Sequence, residues 1–156
     1  GLLPYQKLYF TKLEYDKLIP VFSAKKLDEK YYEEKKYTIL LLTGIASPKL
    51  MEKYLQQFSS KIEMMTFPDH HNYSTSDIQG IIKKFDSIQA ENKIIITTEK
   101  DSMRFKDNTD ISEEIKDALY YLPVKVNFLE EEKKSFNKKI FNYVGENKSN
   151  RKLHKR

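Results

Sequence analysis

The sequence predicts an α/β fold, a mostly parallel sheet with flanking helices, and two observations carry that expectation. Short apolar runs such as Thr38-Ile39-Leu40-Leu41-Leu42 and Ile94-Ile95-Ile96 are continuous rather than alternating, as in strands buried on both faces. Between them lie segments whose apolar residues recur at helical spacing. Strands alternating with helices imply parallel pairing with right-handed crossovers.

Taken in order, Tyr5 to Phe22 mixes aromatic and β-branched residues with Lys, ends near Pro20, and reads as extended chain. Ala24 to Lys36 is highly charged and reads as a turn or linker. The first regular strand begins after Tyr37 and leads into Thr43-Gly44-Ile45-Ala46-Ser47-Pro48. Ser47 is placed to cap a helix whose first residue is Pro48, where a missing N–H costs nothing. Leu50, Met51, Tyr54, Leu55 and Phe58 give that helix one apolar face.

The unit repeats twice. Lys61 to Phe67 reads as a strand, followed by Pro68-Asp69-His70-His71-Asn72 and a helix starting near Ser74, with Asp77 three residues on as its capping-box partner. Ile78, Ile81, Ile82, Phe85 and Ile88 form the stripe that helix buries. The third strand runs from Lys93 through Ile96 into a polar loop, Thr97-Thr98-Glu99-Lys100-Asp101, and a helix is expected from about Ile111 to Ala118. Val124, Val126 and Phe128 alternate with Lys125 and Asn127 as one more strand. A last helix carries Phe136, Ile140, Tyr143 and Val144 on one face and is expected to stop at Gly145. Residues 1–36 therefore read as an extended arm, 37–145 as the α/β domain, and 146–156 as a basic disordered tail.

Composition narrows the classes. The 156 residues suit one domain with a real core. With 39% hydrophobic and 33% charged residues the chain reads as globular rather than disordered. No apolar run approaches the roughly 18 residues that span a bilayer, and no signal-peptide pattern opens the chain. Gly1-Leu2-Leu3-Pro4 lacks an initiator Met and reads as a start within a longer protein. Without Cys there is no disulfide scaffold, which agrees with a reducing compartment. The charge of +5 and pI near 9.1 permit a nucleic acid, an anionic membrane or a phosphorylated substrate as partner. Lys148, Arg151, Lys152, Lys155 and Arg156 crowd the C-terminus. That cluster reads either as a frayed solvated end or as a contact with anionic lipid, worth about 1 kcal/mol per basic residue.

In open α/β sheets ligands bind beyond the carboxyl ends of the strands. The segments after the three strands should share that edge, and their convergence is the strongest physical pointer to a site. Asp69-His70-His71 is the richest. It reads as a capped turn with exposed histidines, as a metal site, or as an acid–base site in which a His beside a carboxylate handles protons near neutral pH. Adjacent side chains after a strand point different ways, which disfavours chelation of one ion without distant ligands. The Thr97 to Asp101 segment reads as a helix-start cap with a local ion pair, or as a place where Lys100 or a backbone N–H holds an anion. Thr43-Gly44 permits a tight turn or close ligand approach. Only Gly1, Gly44, Gly80 and Gly145 are present, so neither a G-x-x-x-x-G-K-[ST] loop nor a G-x-G-x-x-G turn is possible.

With these segments in this order, the chain resembles the tetraacyldisaccharide 4′-kinase family, in the form found in Bacteroidetes. The matching pieces are Leu42-Thr43-Gly44-Ile45-Ala46-Ser47-Pro48, Phe67-Pro68-Asp69-His70-His71-Asn72-Tyr73 and Thr97-Thr98-Glu99-Lys100-Asp101. Tyr121-Leu122-Pro123-Val124 matches the family's closing strand, and Tyr9-Phe10-Thr11 the stretch that leaves its nucleotide-binding half. The resemblance covers nearly the whole chain up to Val144. It implies the C-terminal lobe of a P-loop kinase peripheral to the cytoplasmic face of the bacterial inner membrane. Such enzymes use ATP and Mg²⁺ to phosphorylate the 4′-hydroxyl of tetraacyldisaccharide 1-phosphate in lipid A biosynthesis. The nucleotide loop, the Mg²⁺ carboxylates and a catalytic Asp belong to the family's N-terminal lobe, the expected partner of this chain. Residues 1–36 would be the arm from that lobe, and this chain alone would bind neither ATP nor a metal and be inactive.

The family's catalytic His maps to His70. Asp69, His71, Thr98, Glu99, Lys100, Asp101, Thr43 and Gly44 become candidate substrate-binding or orienting residues, and nucleic acid drops out as a partner. Two alternatives stay beside this reading. One is a metal-dependent phosphoesterase of Asp-His-His type, although the further Asp-x-Asp clusters such sites need are missing. The other is a non-catalytic module that binds an acidic partner.

Overall fold

The computed structural model describes residue 3, residues 6–22, 27, 37–106, 108–129 and 132–153. The expected linker from Ala24 to Lys36 lies, apart from Leu27, outside the described residues. Strands are β1 (Thr11–Tyr15), β2 (Ile19–Pro20), β3 (Thr38–Thr43), β4 (Ile62–Thr66), β5 (Lys93–Thr98), β6 (Leu119–Leu122) and β7 (Val124–Phe128). Helices are α1 (Lys49–Leu55), α2 (Thr75–Ser87), α3 (Glu99–Lys106), α4 (Glu113–Ala118) and α5 (Glu132–Leu153). The chain divides into two compact units, one of Tyr15–Pro123 and one formed by Gly1–Glu14 with Val124–Arg156.

The larger unit is the α/β body. Its sheet has the order β2-β6-β5-β3-β4. The β3–β4, β3–β5 and β5–β6 pairs are parallel, and only β2 runs antiparallel, against β6. β3 is buried at every residue, which explains its unbroken apolar run. Successive side chains point to opposite faces. Leu40, Leu42 and Ile95 therefore join Ile78, Ile81, Phe85, Phe105 and Ile115 on one side. Ile39, Leu41, Ile94 and Ile96 join Met51 and Leu55 on the other. β4 is one of the two edge strands, and its Glu63 carries a 2.6 Å ion pair with Lys84 that marks that edge with charge.

Several boundaries differ from expectation, each for a local reason. α1 starts at Lys49 with Pro48 as its cap residue and no side-chain cap bond, so Ser47 does not cap it. Leu50 is 60% exposed, and α1 buries only Met51 and Leu55. α2 begins as expected, with Ser74 and Asp77 closing a reciprocal capping box. Thr97 and Thr98 continue β5, and Glu99 to Asp101 form the first turn of α3, a helix that periodicity concealed because it buries Asp101 and Ser102 beside Phe105. α4 starts at Glu113 rather than at Ile111, capped by Ser112, whose hydroxyl accepts from Ile115 N–H. The last strand of the parallel set is β6, with β2 added outside it, whereas Val124 to Phe128 pair with β1 instead. Thus Leu18 and Val21 of the expected arm lie in the core of the larger unit.

In the smaller unit β1 pairs with β7 as a two-stranded ribbon. Such a ribbon is marginal by itself, and aromatic packing supports it. Tyr9 meets Phe136 edge-on at 5.2 Å, and Phe128 lies 5.0 Å from Phe136. α5 runs through Gly145 to Leu153, so neither the expected stop nor a disordered tail from 146 is seen as far as Leu153. A mid-helix glycine costs about 1 kcal/mol against alanine, which flanking helix formers can offset.

Phe85 is 1% exposed, and the Lys93 ammonium sits 4.4 Å from its ring centre. Phe85→Ala should lower unfolding free energy by about 3–5 kcal/mol in urea titration. A loss below about 1 kcal/mol would contradict the packing described.

Candidate functional site

Parallel pairing brings the carboxyl ends of β3, β4, β5 and β6 to one edge. Gly44, the Pro68–His71 turn and the start of α3 meet there, as the sequence implied. What ties them is a carboxylate. Asp101 is completely buried. Its Oδ2 accepts from Gly44 N–H at 2.9 Å and from the Thr98 hydroxyl at 2.8 Å, and its Oδ1 accepts from Arg104 Nη1 at 3.1 Å. Its own N–H donates to Thr98 Oγ1 at 3.1 Å. Hydrogen bonds to an ionised group are roughly twice as strong as neutral ones. Gly44 is required for close approach: a Cβ there would lie 3.1 Å from Asp101 Oδ1 and 3.2 Å from the Pro68 carbonyl.

The Asp69-His70-His71 side chains diverge. Asp69 Oδ1 accepts from His70 N–H at 3.0 Å and is also ion-paired with Lys100, which reaches across from α3. The hydrogen bond from Lys100 holds the Asp69 carboxyl below its ordinary range. His70 adopts φ 61°, the left-handed region that non-glycine residues seldom occupy. Its ring is 77% exposed, with Nε2 3.6 Å from Asp69 Oδ2, too long for a hydrogen bond. His71 turns inward. Its side chain is 25% exposed, stacks on Phe67 at 4.9 Å, meets Tyr73 edge-on at 5.3 Å, and places Nε2 3.0 Å from Asp77 Oδ2.

The other expected residues separate in the same way. Thr43 is buried, with its hydroxyl unpartnered. Thr98 serves Asp101. Glu99 and Lys100 are exposed in the first turn of α3. Burial takes Thr43, Gly44 and Asp101 out of reach of a ligand and leaves Asp69, His70, Glu99 and Lys100 on the accessible side. Sequence reasoning did not single out Arg104 or Tyr73. Arg104 stands three residues after Asp101, a helical pairing distance that would have found it once α3 was recognised. Tyr73 stacks on Phe105 at 4.2 Å, and burial raises its phenol pKa. Two concavities of about 540 and 380 Å³ lie elsewhere, lined by Lys106, Asn108 and Lys116 and by Tyr37, Lys93 and Glu114. The carboxyl edge itself is open. Among the described residues no three His, Asp or Glu side chains gather to hold a metal ion, and no helix is long and apolar enough to cross a membrane.

Asp77 generates a pH prediction. Hydrogen bonds from Ser74, then from His71, lower its carboxyl from 3.8 to about 2. A depressed carboxylate contributes stability that is complete above its unfolded value and is lost as pH falls through the folded one. The wild-type chain should therefore lose stability between roughly pH 4 and pH 2 more steeply than Asp77→Asn. Thermal melts across that range check it, and identical slopes would contradict it.

Comparison with known proteins places the chain in a family. Residues 6–144 match the family described as "LpxK: Tetraacyldisaccharide-1-P 4'-kinase". A tetraacyldisaccharide 4'-kinase of Phocaeicola vulgatus is 41% identical over 96% of this chain and 41% of its own length. That of Bacteroides thetaiotaomicron is 39% identical over the same shares. The structure of LpxK from Aquifex aeolicus in complex with ATP superposes with a TM-score of 0.51 at 20% identity, over 91% of this chain and 38% of that one. This chain thus spans about two fifths of the relatives it matches. The matched family is a kinase, which leaves the phosphoesterase reading without support. The chain belongs to the tetraacyldisaccharide-1-P 4'-kinase family.

Proposed function

We propose that this chain is the C-terminal lobe of a lipid A kinase. Joined to an N-terminal P-loop lobe, it transfers the γ-phosphate of ATP to the 4′-hydroxyl of tetraacyldisaccharide 1-phosphate, with His70 as the proton-accepting group of this half. The observation that carries the assignment to His70 is the division between the two histidines. His71 is packed between rings and bonded to Asp77, whereas His70 projects from the strand edge in a left-handed conformation. Backbone strain of that kind persists where surrounding structure enforces it and concentrates at functional sites.

Phosphoryl transfer depends mostly on positioning and charge stabilisation. As the 4′-oxygen bonds to phosphorus, its proton passes to the His70 ring, and the bond from the γ-phosphorus to the bridging oxygen breaks with its electrons leaving on ADP. Asp69, anchored by Lys100, lies beside the ring that receives the proton. Mg²⁺ and the nucleotide loop belong to the other lobe. A site completed only when two lobes close limits wasteful ATP hydrolysis. This chain alone should show no micromolar affinity for ATP–Mg²⁺ by calorimetry.

In the full-length kinase His70→Ala should lower kcat by about 10²–10⁴ with little change in KM for ATP. His71→Ala should cost much less in kcat and lower thermal stability instead, since His71 is packed and bonded. Near-normal turnover of His70→Ala would overturn the assignment. The basic C-terminus, Lys148 to Arg156, is proposed to rest on the anionic cytoplasmic face of the inner membrane. Its binding to anionic vesicles should weaken as salt shortens the screening length below about 8 Å. Unchanged binding after removal of these residues would contradict that role.

A further inference from the structure

The structure assigns Asp101 as a positioning residue that holds His70 in place through Gly44 and Pro68, without itself touching a ligand; the assignment rests on His70 being the acid–base group of this lobe. Asp101 has no exposed surface, so it cannot bind substrate directly. Its bonds nonetheless reach two of the three segments at the carboxyl edge: Gly44 N–H after β3, and the Thr98 hydroxyl and Arg104 around the start of α3. The third segment is reached through Gly44. The position at which a Gly44 Cβ would stand is 3.1 Å from Asp101 Oδ1 and 3.2 Å from the Pro68 carbonyl, so carboxylate and turn converge on the side of Gly44 that lacks a side chain. Pro68 is fixed further by its neighbours. Phe67 N–H donates to the Thr43 carbonyl at 2.8 Å, and His71 N–H donates to the Pro68 carbonyl at 3.2 Å. Asp69 and His70 therefore leave the sheet from a platform whose height Asp101 sets. Lys100, next to Asp101 on α3, carries the same constraint to the Asp69 carboxylate. One buried carboxylate thus fixes both the backbone entering His70 and the cation that holds the neighbouring Asp69.

A merely structural residue and a positioning residue differ in their dependence on His70. In the full-length kinase, Asp101→Asn keeps the shape but weakens the bonds to Gly44 and Arg104. Misplacing a catalytic group by about 1 Å can cost 10²-fold, so kcat should fall by about that order with KM for ATP little changed. In a His70→Ala background the same substitution should change kcat by less than about twofold, because the group being positioned is gone. Equal losses in both backgrounds, or no loss in either, would overturn the proposal. Gly44→Ala, whose methyl would crowd both Asp101 Oδ1 and the Pro68 carbonyl, should give the same pattern and decides the matter if Asp101→Asn does not fold. A second readout is independent of catalysis. In amide NMR spectra of this chain, either substitution should move the Asp69 and His70 signals as well as those beside the mutated residue. Moved signals with normal turnover of His70→Ala would remove the catalytic reading and leave the positioning intact. Unmoved signals would remove the positioning itself.

Discussion

Burial of β3 on both faces is the constraint from which the rest of this fold follows. A strand covered by helices on each side can carry no charge along its length, so polar chemistry is confined to its end. Parallel partners then deliver their own ends to the same edge. At that edge a buried ion cannot stand unpaired, and Asp101 is matched by a backbone N–H, a hydroxyl and a guanidinium. The scaffold of the candidate site is thus a direct consequence of how the core is covered.

The same edge divides two adjacent histidines between different tasks. His71 belongs to the packing: its ring joins Phe67 and Tyr73, and its nitrogen meets the Asp77 carboxylate that also caps α2. It links the start of a helix to the end of a strand. His70 is displaced outward by its left-handed backbone, beside a carboxylate already anchored by Lys100. Rigid support beneath an exposed ring is what the proton-accepting role proposed for His70 requires.

Much of this was legible in the sequence, for identifiable reasons. Continuous apolar runs announced β3 and β5, and Ser74 with Asp77 announced α2, because burial on both faces and reciprocal capping leave short-range signatures. α3 was legible only as a helix-start cap at Thr97 to Asp101, and its body was missed because it buries Asp101 and Ser102, which reads as a loop to any rule that equates burial with apolarity. The separation of β6 from β7 was missed because Pro123 joins two strands that pair with different partners, and pairing is not a local property. Asp69-His70-His71 stood out by composition, yet its alternatives could not be separated there. Which histidine turns inward depends on Phe67, Tyr73 and Asp77 arriving from three directions.

The central proposal is that His70, on the carboxyl edge of this sheet, takes the proton of the 4′-hydroxyl as that oxygen accepts a phosphoryl group carried by another lobe. A structure of the full-length kinase with a non-hydrolysable ATP analogue and the disaccharide acceptor tests it most directly. The account predicts the His70 ring within about 2.6–3.2 Å of the 4′-hydroxyl, or one water away from it. A complex in which that ring faces solvent while another side chain contacts the hydroxyl would contradict it.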